Sequence, residues 1–185
     1  TLTGDGADNT LVGGLGNDVL DGGAGNDTAS FVGASNGVTV DLQVAGAQVT
    51  GAGSDTFVSI ENLVGTSFAD TLTGNGASNL LDGGLGDDYL NGGGGTDTVT
   101  YAAATNAVNV DLSVAVTQVT GYGADTLVGI ENVVGSSFND TLTGNGGDNV
   151  LAGLAGDDVL NGAGGIDIAS YATLGAGVAV DLNIV

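Results

Sequence analysis

A nine-residue pattern, G-G-x-G-x-D-x-U-x with U a large apolar residue, recurs along this chain. Two copies stand in direct succession from Gly83 to Thr100, and a looser copy precedes them from Gly74 to Asp82. The glycine-rich half can adopt positive φ angles and turn sharply. The x-U-x half suits a three-residue strand that points one side chain inward and two outward. The pattern therefore predicts a chain of alternating short strands and tight turns.

A longer repeat groups these copies into units. Thr1-Leu2-Thr3-Gly4 returns at positions 71–74 and again at 141–144. We predict a single continuous solenoid over residues 1–185, built of units 1–70 and 71–140 and a partial unit 141–185. The alternative is separate rolls joined by small β modules. Alternation of apolar and polar residues over 38–44, repeated at 108–114 and 178–184, favours the continuous solenoid because it predicts a further half-buried strand.

Two nonapeptides make one coil of about 18 residues, and successive coils stack with parallel strands about 4.8 Å apart. The predicted fold is an all-β parallel β-roll. Turns that are separated by one full coil then lie on the same edge, one above the other. The predicted same-edge pairs are Gly4–Asn9 with Gly22–Asp27, Gly74–Asn79 with Gly92–Asp97, and Gly144–Asn149 with Gly162–Asp167.

The composition requires a counter-cation for a compact fold. The chain has 22 acidic residues, no Lys, Arg or His, and a formal charge of −22. Self-repulsion works against any compact state that holds these charges together. Hydrophobic residues at fixed positions, 42% overall, argue against a disordered tail. The lack of cationic side chains disfavours direct binding to nucleic acid, and the lack of an apolar run of about 20 residues disfavours membrane insertion.

Stacked turns would present carboxylates and backbone carbonyls to the gap between them. Ca²⁺ takes six to eight such oxygen ligands. The primary candidates are the aspartates in the sixth place of regular turns: Asp18, Asp27, Asp88, Asp97, Asp158 and Asp167. Asn9, Asn79 and Asn149 occupy the same place in the first turn of each unit. Degenerate turns add Asp55, Asp70, Asp125 and Asp140, and turn carbonyls add Gly22, Gly25, Gly92, Gly95, Gly162 and Gly165.

The remaining acidic and aromatic residues have simpler interpretations. Asp87 and Asp157 are expected to face solvent, as are Asp41, Asp111 and Asp181 on the outside of a strand. We expect Glu61 and Glu131 to serve a turn or a sheet edge. Core or coil-end packing is predicted for Phe31, Tyr101 and Tyr171 and for Phe68 and Phe138. No base for a Ser nucleophile and no cation for an oxyanion is present, so we predict that the chain is not an enzyme.

The tandem G-G-x-G-x-D blocks, three nonapeptides in each unit, resemble the repeats-in-toxin (RTX) family of calcium-binding repeats. This resemblance implies a right-handed parallel β-roll, several Ca²⁺ ions at the turns, export by a type I system and folding outside the cell. Asn9, Asn79 and Asn149 depart from the family pattern, and their neutral oxygens imply weaker sites.

The expected function is structural: a calcium-binding segment of a secreted or cell-surface bacterial protein such as an adhesin, an S-layer protein or a filament. It would fold on Ca²⁺ after export and could assemble with itself end to end or side by side. One alternative is an accessory export and folding region of a secreted enzyme or toxin. Another is a solenoid that binds ice or polysaccharide through outward rows of Thr.

Overall fold

The computed structural model describes residues 1–172, which form strands and turns and contain no helix. No segment of this range is therefore a helix long and apolar enough to cross a membrane. The first unit contains β1 (Leu2–Thr3), β2 (Thr10–Leu11), β3 (Val19–Asp21), β4 (Thr28–Ser30), β5 (Thr39–Asp41), β6 (Gln48–Val49), β7 (Ser54–Val58) and β8 (Asn62–Thr66). The second contains β9 (Thr71–Thr73), β10 (Leu80–Gly84), β11 (Tyr89–Asn91), β12 (Thr98–Thr100), β13 (Asn109–Asp111), β14 (Gln118–Val119), β15 (Ala124–Val128) and β16 (Asn132–Val134). The third contains β17 (Thr141–Thr143), β18 (Val150–Ala152), β19 (Val159–Asn161) and β20 (Ile168–Ala169).

Strands alternate along the repeat blocks between one large sheet and three smaller ones. The large sheet has eight parallel strands in the order β2-β4-β8-β10-β12-β16-β18-β20. The smaller sheets have the orders β1-β3-β7-β6, β14-β15-β11-β9-β5 and β13-β17-β19. Every pairing is parallel except those of β6 with β7 and β14 with β15. The predicted all-β parallel β-roll is therefore confirmed.

The coil length follows the prediction inside the repeat blocks and departs from it between them. Within a block, Leu63 pairs with Leu81 and Leu72 with Leu90, an offset of 18 residues. Between blocks the hydrogen-bonded offsets are 37, 34 and 32 residues. The spacers, residues 31–61 and 101–131, thus exceed the predicted coil length. The reason is that β6 and β14 turn back antiparallel on the strand that follows and add residues without continuing the parallel stack.

The apolar residues of the pattern form one continuous core. Leu63, Leu72 and Leu81 are fully buried, and they belong to a single cluster with most of the other U residues of the blocks. Leu160 is partly buried against this cluster, and Ala169 is exposed. Burial of this stripe supplies the main favourable term for folding. The core is narrow, since only one side chain per three-residue strand points into it.

Four of the aromatic residues predicted to pack in the core or at a coil end differ in burial. Phe31 and Tyr101 are buried in the core, as predicted. Phe68 and Phe138 are 45% and 43% exposed, so the prediction that they pack in the core or at a coil end is wrong. They lie on the outer side of turns 65–70 and 135–140, two residues before the buried aspartates Asp70 and Asp140.

The spacer strand is shorter than its sequence pattern suggests. The alternation predicts a strand over residues 38–44, but β5 ends at Asp41 and the chain turns at Leu42 and Gln43. The side chain of Gln48 then bonds the main chain of Asp41. Its Oε1 accepts from the Asp41 N–H at 2.8 Å, and its Nε2 donates to the Asp41 carbonyl at 2.9 Å. These two bonds take the place of those that a neighbouring strand would make. The third copy of this strand, at 178–184 with Asp181, and residue 185 lie outside the described residues.

Candidate calcium sites

The turns form two stacks, one at each end of the strands of the large sheet. Every turn of the first turn stack leads into the large sheet. Most turns of the second lead out of it, whereas 51–55 joins β6 to β7 and 121–125 joins β14 to β15. The first contains residues 4–9, 22–27, 59–61, 74–79, 92–97, 129–131, 144–149 and 162–167. The second contains residues 13–18, 51–55, 65–70, 83–88, 121–125, 135–140 and 153–158. Spacer turns therefore take places in both stacks beside the regular ones.

The first turn stack is held together by a ladder of carboxylates. The N–H of Asn9 donates to Asp27 Oδ1 at 2.8 Å, and the N–H of Asn79 donates to Asp97 Oδ1 at the same distance. In the third unit, the N–H of Asn149 donates to Asp167 Oδ1 at 3.0 Å. The structure thus brings together the three pairs of turns that the repeat spacing predicts.

The second turn stack repeats this arrangement and continues through the spacers. The N–H of Asp70 donates to Asp88 Oδ1 at 2.8 Å, and the N–H of Asp140 donates to Asp158 Oδ1 at 2.9 Å. Across a spacer, the N–H of Asp88 donates to Asp125 Oδ1 at 3.0 Å. Asp18 and Asp55 form the equivalent contact in the first unit, at 2.9 Å.

These carboxylates are buried against one another without a cationic side chain. Asp88 is 3% exposed, and burial raises its pKa to about 8, with the charges of Asp125, Asp70 and Asp82 adding to the effect. Burial also raises the pKa of Asp97, and the nearby charge of Glu131 contributes. Raised carboxylate pKa values mean that the negative charge is destabilised in these turns.

Three buried carboxylate oxygens within residues 1–172 have no hydrogen-bond donor: Oδ2 of Asp27, Asp88 and Asp97. All three belong to the predicted primary ligands. A buried unpaired charge is costly unless a partner compensates it. An oxygen-seeking divalent cation is such a partner, so the residues present fit Ca²⁺.

Glycines lie close against the oxygens of the turns and leave no room for a Cβ. A Cβ on Gly74 would collide with both Asn79 Oδ1 and the Gly92 carbonyl oxygen, and a Cβ on Gly83 would collide with Asp88 Oδ2. The equivalent carbonyls of Gly22 and Gly162 face Gly4 and Gly144 in the same way. No backbone N–H among residues 1–172 donates to the carbonyl oxygens of Gly22, Gly92 or Gly162. These predicted carbonyl ligands thus lie in the gaps between paired turns.

The glycine at the fourth position of the turn has a conformational role. Gly25, Gly95 and Gly165 have φ angles of 133°, 110° and 114°, which residues with a Cβ rarely adopt. Each lies against a carbonyl of the turn one coil before it: Ala7, Ala77 and Gly147. Within residues 1–172 no three acidic side chains converge on one point. A site here therefore depends on such carbonyls as well as on carboxylates.

The degenerate-turn aspartates differ from the primary candidates, because the protein already satisfies both of their oxygens. Asp125 Oδ2 accepts from the Tyr101 hydroxyl at 3.0 Å and from Thr120 Oγ1 at 2.9 Å. Asp70 accepts from the N–H groups of Thr66 and Val38, each at 2.6 Å. Their equivalents Asp55 and Asp140 are bonded to Thr50 and to Ser136 and Val108. These four carboxylates anchor the spacers to the stack.

The asparagines also have a partner that the sequence did not reveal. Asn79 Nδ2 donates to the Glu61 carbonyl at 2.6 Å, and Asn149 Nδ2 donates to the Glu131 carbonyl at 2.7 Å. An aspartate in this place would have no proton to donate to that carbonyl. Asn79 and Asn149 therefore join the second and third repeat blocks to the spacers that precede them.

Sequence reasoning missed two acidic residues of the first turn stack. The sequence predicts only a turn or sheet-edge role for Glu61 and Glu131, yet their carboxylates accept the N–H groups of Asp27 and Asp97, each at 2.8 Å. A signal was present in the sequence. Glu61 stands two residues before the core residue Leu63, as Asp27 stands two before Ala29.

Comparison with known proteins agrees with this geometry. A family model described as the RTX calcium-binding nonapeptide repeat (4 copies) matches residues 1–29, 64–99 and 134–169, together more than half of the chain. The second and third matched ranges include the degenerate turns 65–70 and 135–140. A search of the curated proteins found no match.

Proposed function

Since the chain belongs to the RTX calcium-binding nonapeptide repeat family and is a calcium-binding repeat region of a secreted protein, we propose that it is a structural segment that folds on Ca²⁺ after export. Its host would be a bacterial cell-surface protein, such as an adhesin, an S-layer protein or a filament. The observation that carries this proposal is the set of buried carboxylate oxygens without donors in the turn stacks.

The residues of the turns would act as a folding switch. Without a cation, repulsion among 22 acidic side chains opposes the compact stack. Bound Ca²⁺ would supply the positive charge that this chain lacks. The carboxylates can then be buried as anions, so the free energy of binding becomes free energy of folding.

We assign the ions first to the gaps that hold the free oxygens of Asp27, Asp88 and Asp97. The regular-turn partners Asp18, Asp158 and Asp167, the asparagines Asn9, Asn79 and Asn149, and the turn carbonyls complete the candidate ligand set. Asp55, Asp70, Asp125 and Asp140 contribute mainly by fixing the spacers, because their oxygens already accept protein hydrogen bonds.

The architecture supports a role in extension. The eight-stranded sheet includes strands from all three units, so stacking in one direction is the common feature of the described residues. Its outward positions read Thr28, Asn62, Leu80 and Thr98 along successive strands, which is a mixed row rather than a Thr row. This surface gives no support to ice binding. An accessory role beside an enzyme or toxin domain is distinguished by the neighbouring domains of the host.

Small-angle X-ray scattering with parallel light scattering tests the structural role. In millimolar Ca²⁺ the chain is expected to scatter as an elongated particle of constant cross-section. Any side-by-side or end-to-end assembly would appear as an increase in mass. A compact, nearly spherical particle in saturating Ca²⁺ would contradict the proposal.

A further inference from the structure

The spacer segments 59–61 and 129–131 occupy a full place in the first turn stack although they are shorter than a regular turn. Core residues Phe57 and Leu63 are six positions apart, whereas core residues across a regular turn are nine apart. Phe57 stacks on Leu20 and Leu63 stacks on Ala29, so the short segment faces the regular turn 22–27.

The glutamate of each short segment makes the contact that an aspartate makes in a regular turn. The Asp27 N–H donates to Glu61 Oε2 at 2.8 Å, just as the Asn9 N–H donates to Asp27 Oδ1. In return, the Glu61 N–H donates to the Asp27 carbonyl at 3.0 Å. Because the segment has fewer residues, the extra methylene of Glu carries its carboxylate to the place of the missing Asp.

The second unit repeats this arrangement. The Asp97 N–H donates to Glu131 Oε2 at 2.8 Å, and the Glu131 N–H donates to the Asp97 carbonyl at 3.1 Å. Each pair brings two carboxylates together where no cationic side chain exists. A hydrogen bond to a main-chain N–H satisfies only one carboxylate oxygen, which leaves the others in each pair available.

The unpaired oxygens in this stack lie on the side of the short segments. Asp27 and Asp97 are 0% and 1% exposed, and Oδ2 of each has no donor. A Cβ on Gly22 would collide with both Asp27 Oδ2 and the Ser59 carbonyl oxygen. A Cβ on Gly92 would collide with both Asp97 Oδ2 and the Gly129 carbonyl oxygen. Each bare glycine thus borders a free carboxylate oxygen and a carbonyl oxygen of the short segment.

We propose that the spacers complete the Ca²⁺ sites at the free oxygens of Asp27 and Asp97, which lie between Asp27 and Glu61 and between Asp97 and Glu131. Asp Oδ2, the Glu carboxylate and the carbonyl of Ser59 or Gly129 supply hard oxygen ligands, the kind that Ca²⁺ takes. This inference rests on the proposed calcium-dependent folding. It makes the spacers part of the calcium-binding stack, so that ions join one repeat block to the next.

The test is the tight-binding calcium stoichiometry of the Glu61→Gln/Glu131→Gln double variant, measured by equilibrium dialysis, with circular dichroism on the same samples. Gln keeps an acceptor for the Asp27 and Asp97 N–H groups but removes the charge. The matched control is Asp41→Asn/Asp111→Asn. It removes the same charge from two residues that are also one repeat unit apart. Their carboxylates accept the N–H groups of Gln43 and Ser113 and lie outside both turn stacks.

The double variant is expected to lose two ions from the tight class and to keep its β signal in saturating Ca²⁺, whereas the control keeps the wild-type stoichiometry. An unchanged stoichiometry in the double variant overturns the role of the spacers in these sites and leaves the calcium-dependent fold intact. A wild-type chain that binds no Ca²⁺ overturns both. If the double variant does not fold, each single variant is expected to lose one ion, and an unchanged count in the folded single variants overturns the inference.

Discussion

At the scale of single residues, the aspartates in the sixth place of turns 22–27, 83–88 and 92–97 have two opposite effects on stability. One oxygen of Asp97 caps the main chain of the neighbouring turn, where burial keeps the hydrogen bond strong. Its other oxygen is buried without a donor, and this costs free energy. The same side chain therefore stabilises the stack with a cation and destabilises it without one.

The role of Asn79 gives a residue-scale prediction. Asn79→Asp removes the donor to the Glu61 carbonyl and puts a carboxylate against it at a site that is 3% exposed. In saturating Ca²⁺ the free energy of unfolding should fall by about 1–3 kcal/mol, the cost of leaving a buried acceptor unpaired. Thermal or denaturant unfolding measures the change.

The control for this prediction is Asn9→Asp. Asn9 occupies the same place in its turn as Asn79, but within residues 1–172 it donates to no spacer carbonyl. Its side-chain nitrogen contacts only Asp5 Oδ1, at 3.4 Å. This variant should cost much less stability. The expectation that the asparagines merely weaken their calcium sites would instead be supported if Asn79→Asp tightened calcium binding and raised stability.

The raised pKa of Asp88 predicts the pH dependence of the calcium-free chain. Its pKa is about 8 in the fold, because of burial, and about 3.9 in an unfolded chain. The folded state therefore binds a proton that the unfolded state lacks between these values. This contribution to stability is fully present below about pH 4 and is lost as the pH rises through about 8.

Calcium-free samples should accordingly show more β structure by circular dichroism at pH 5 than at pH 9. Asp88→Asn, which keeps the acceptor for the Asp70 N–H, should reduce this difference. A calcium-free β signal that increases with pH would contradict the assignment of buried, destabilised carboxylates.

At the scale of structural elements, the repeat blocks were predictable and the spacers were only partly so. The blocks have a strict period in which each short strand buries one U residue, such as Leu81 or Leu90, and the turn between them has a fixed length. The spacers depend on contacts between distant residues. The pairing of Gln48 with the main chain of Asp41 and the antiparallel strand β6 leave no periodic signal.

The spacers also explain why the sequence did not reveal the role of the degenerate-turn aspartates. Asp55 and Asp27 both stand two residues before a core residue, yet Thr50 bonds Asp55 while Asp27 keeps a free oxygen. Thr50 and Thr120 stand five positions before Asp55 and Asp125, but the sequence alone does not show that their hydroxyls bond these aspartates. Glu61 was overlooked because its turn lacks the glycines that mark the others.

Gln118 provides the element-scale prediction. Its side chain accepts from the Asp111 N–H at 2.8 Å and donates to the Asp111 carbonyl at 3.0 Å, so it completes the free edge of β13. Gln118→Ala should lower the free energy of unfolding in Ca²⁺ by about 1–3 kcal/mol, since each hydrogen bond contributes about 0.5–1.5 kcal/mol. Hydrogen exchange should show faster exchange at Asp111. Unchanged protection there would contradict the strand-replacing role.

At the scale of the whole molecule, the fold is a balance between a narrow apolar core and a formal charge of −22. The core stripe favours stacking, but each added coil also adds carboxylates to both turn stacks. Sodium chloride at 1 M reduces the Debye length to about 3 Å and so weakens general repulsion. It does not give the buried oxygens of Asp27, Asp88 and Asp97 a divalent partner.

Calcium-dependent folding is tested by circular dichroism of the chain titrated with Ca²⁺, beside a chelator-treated sample and one in 1 M sodium chloride. Such folding predicts a cooperative gain of β signal at millimolar or lower Ca²⁺ and no comparable gain in sodium chloride. A β signal and a melting temperature that stay the same when chelator removes Ca²⁺ would contradict it.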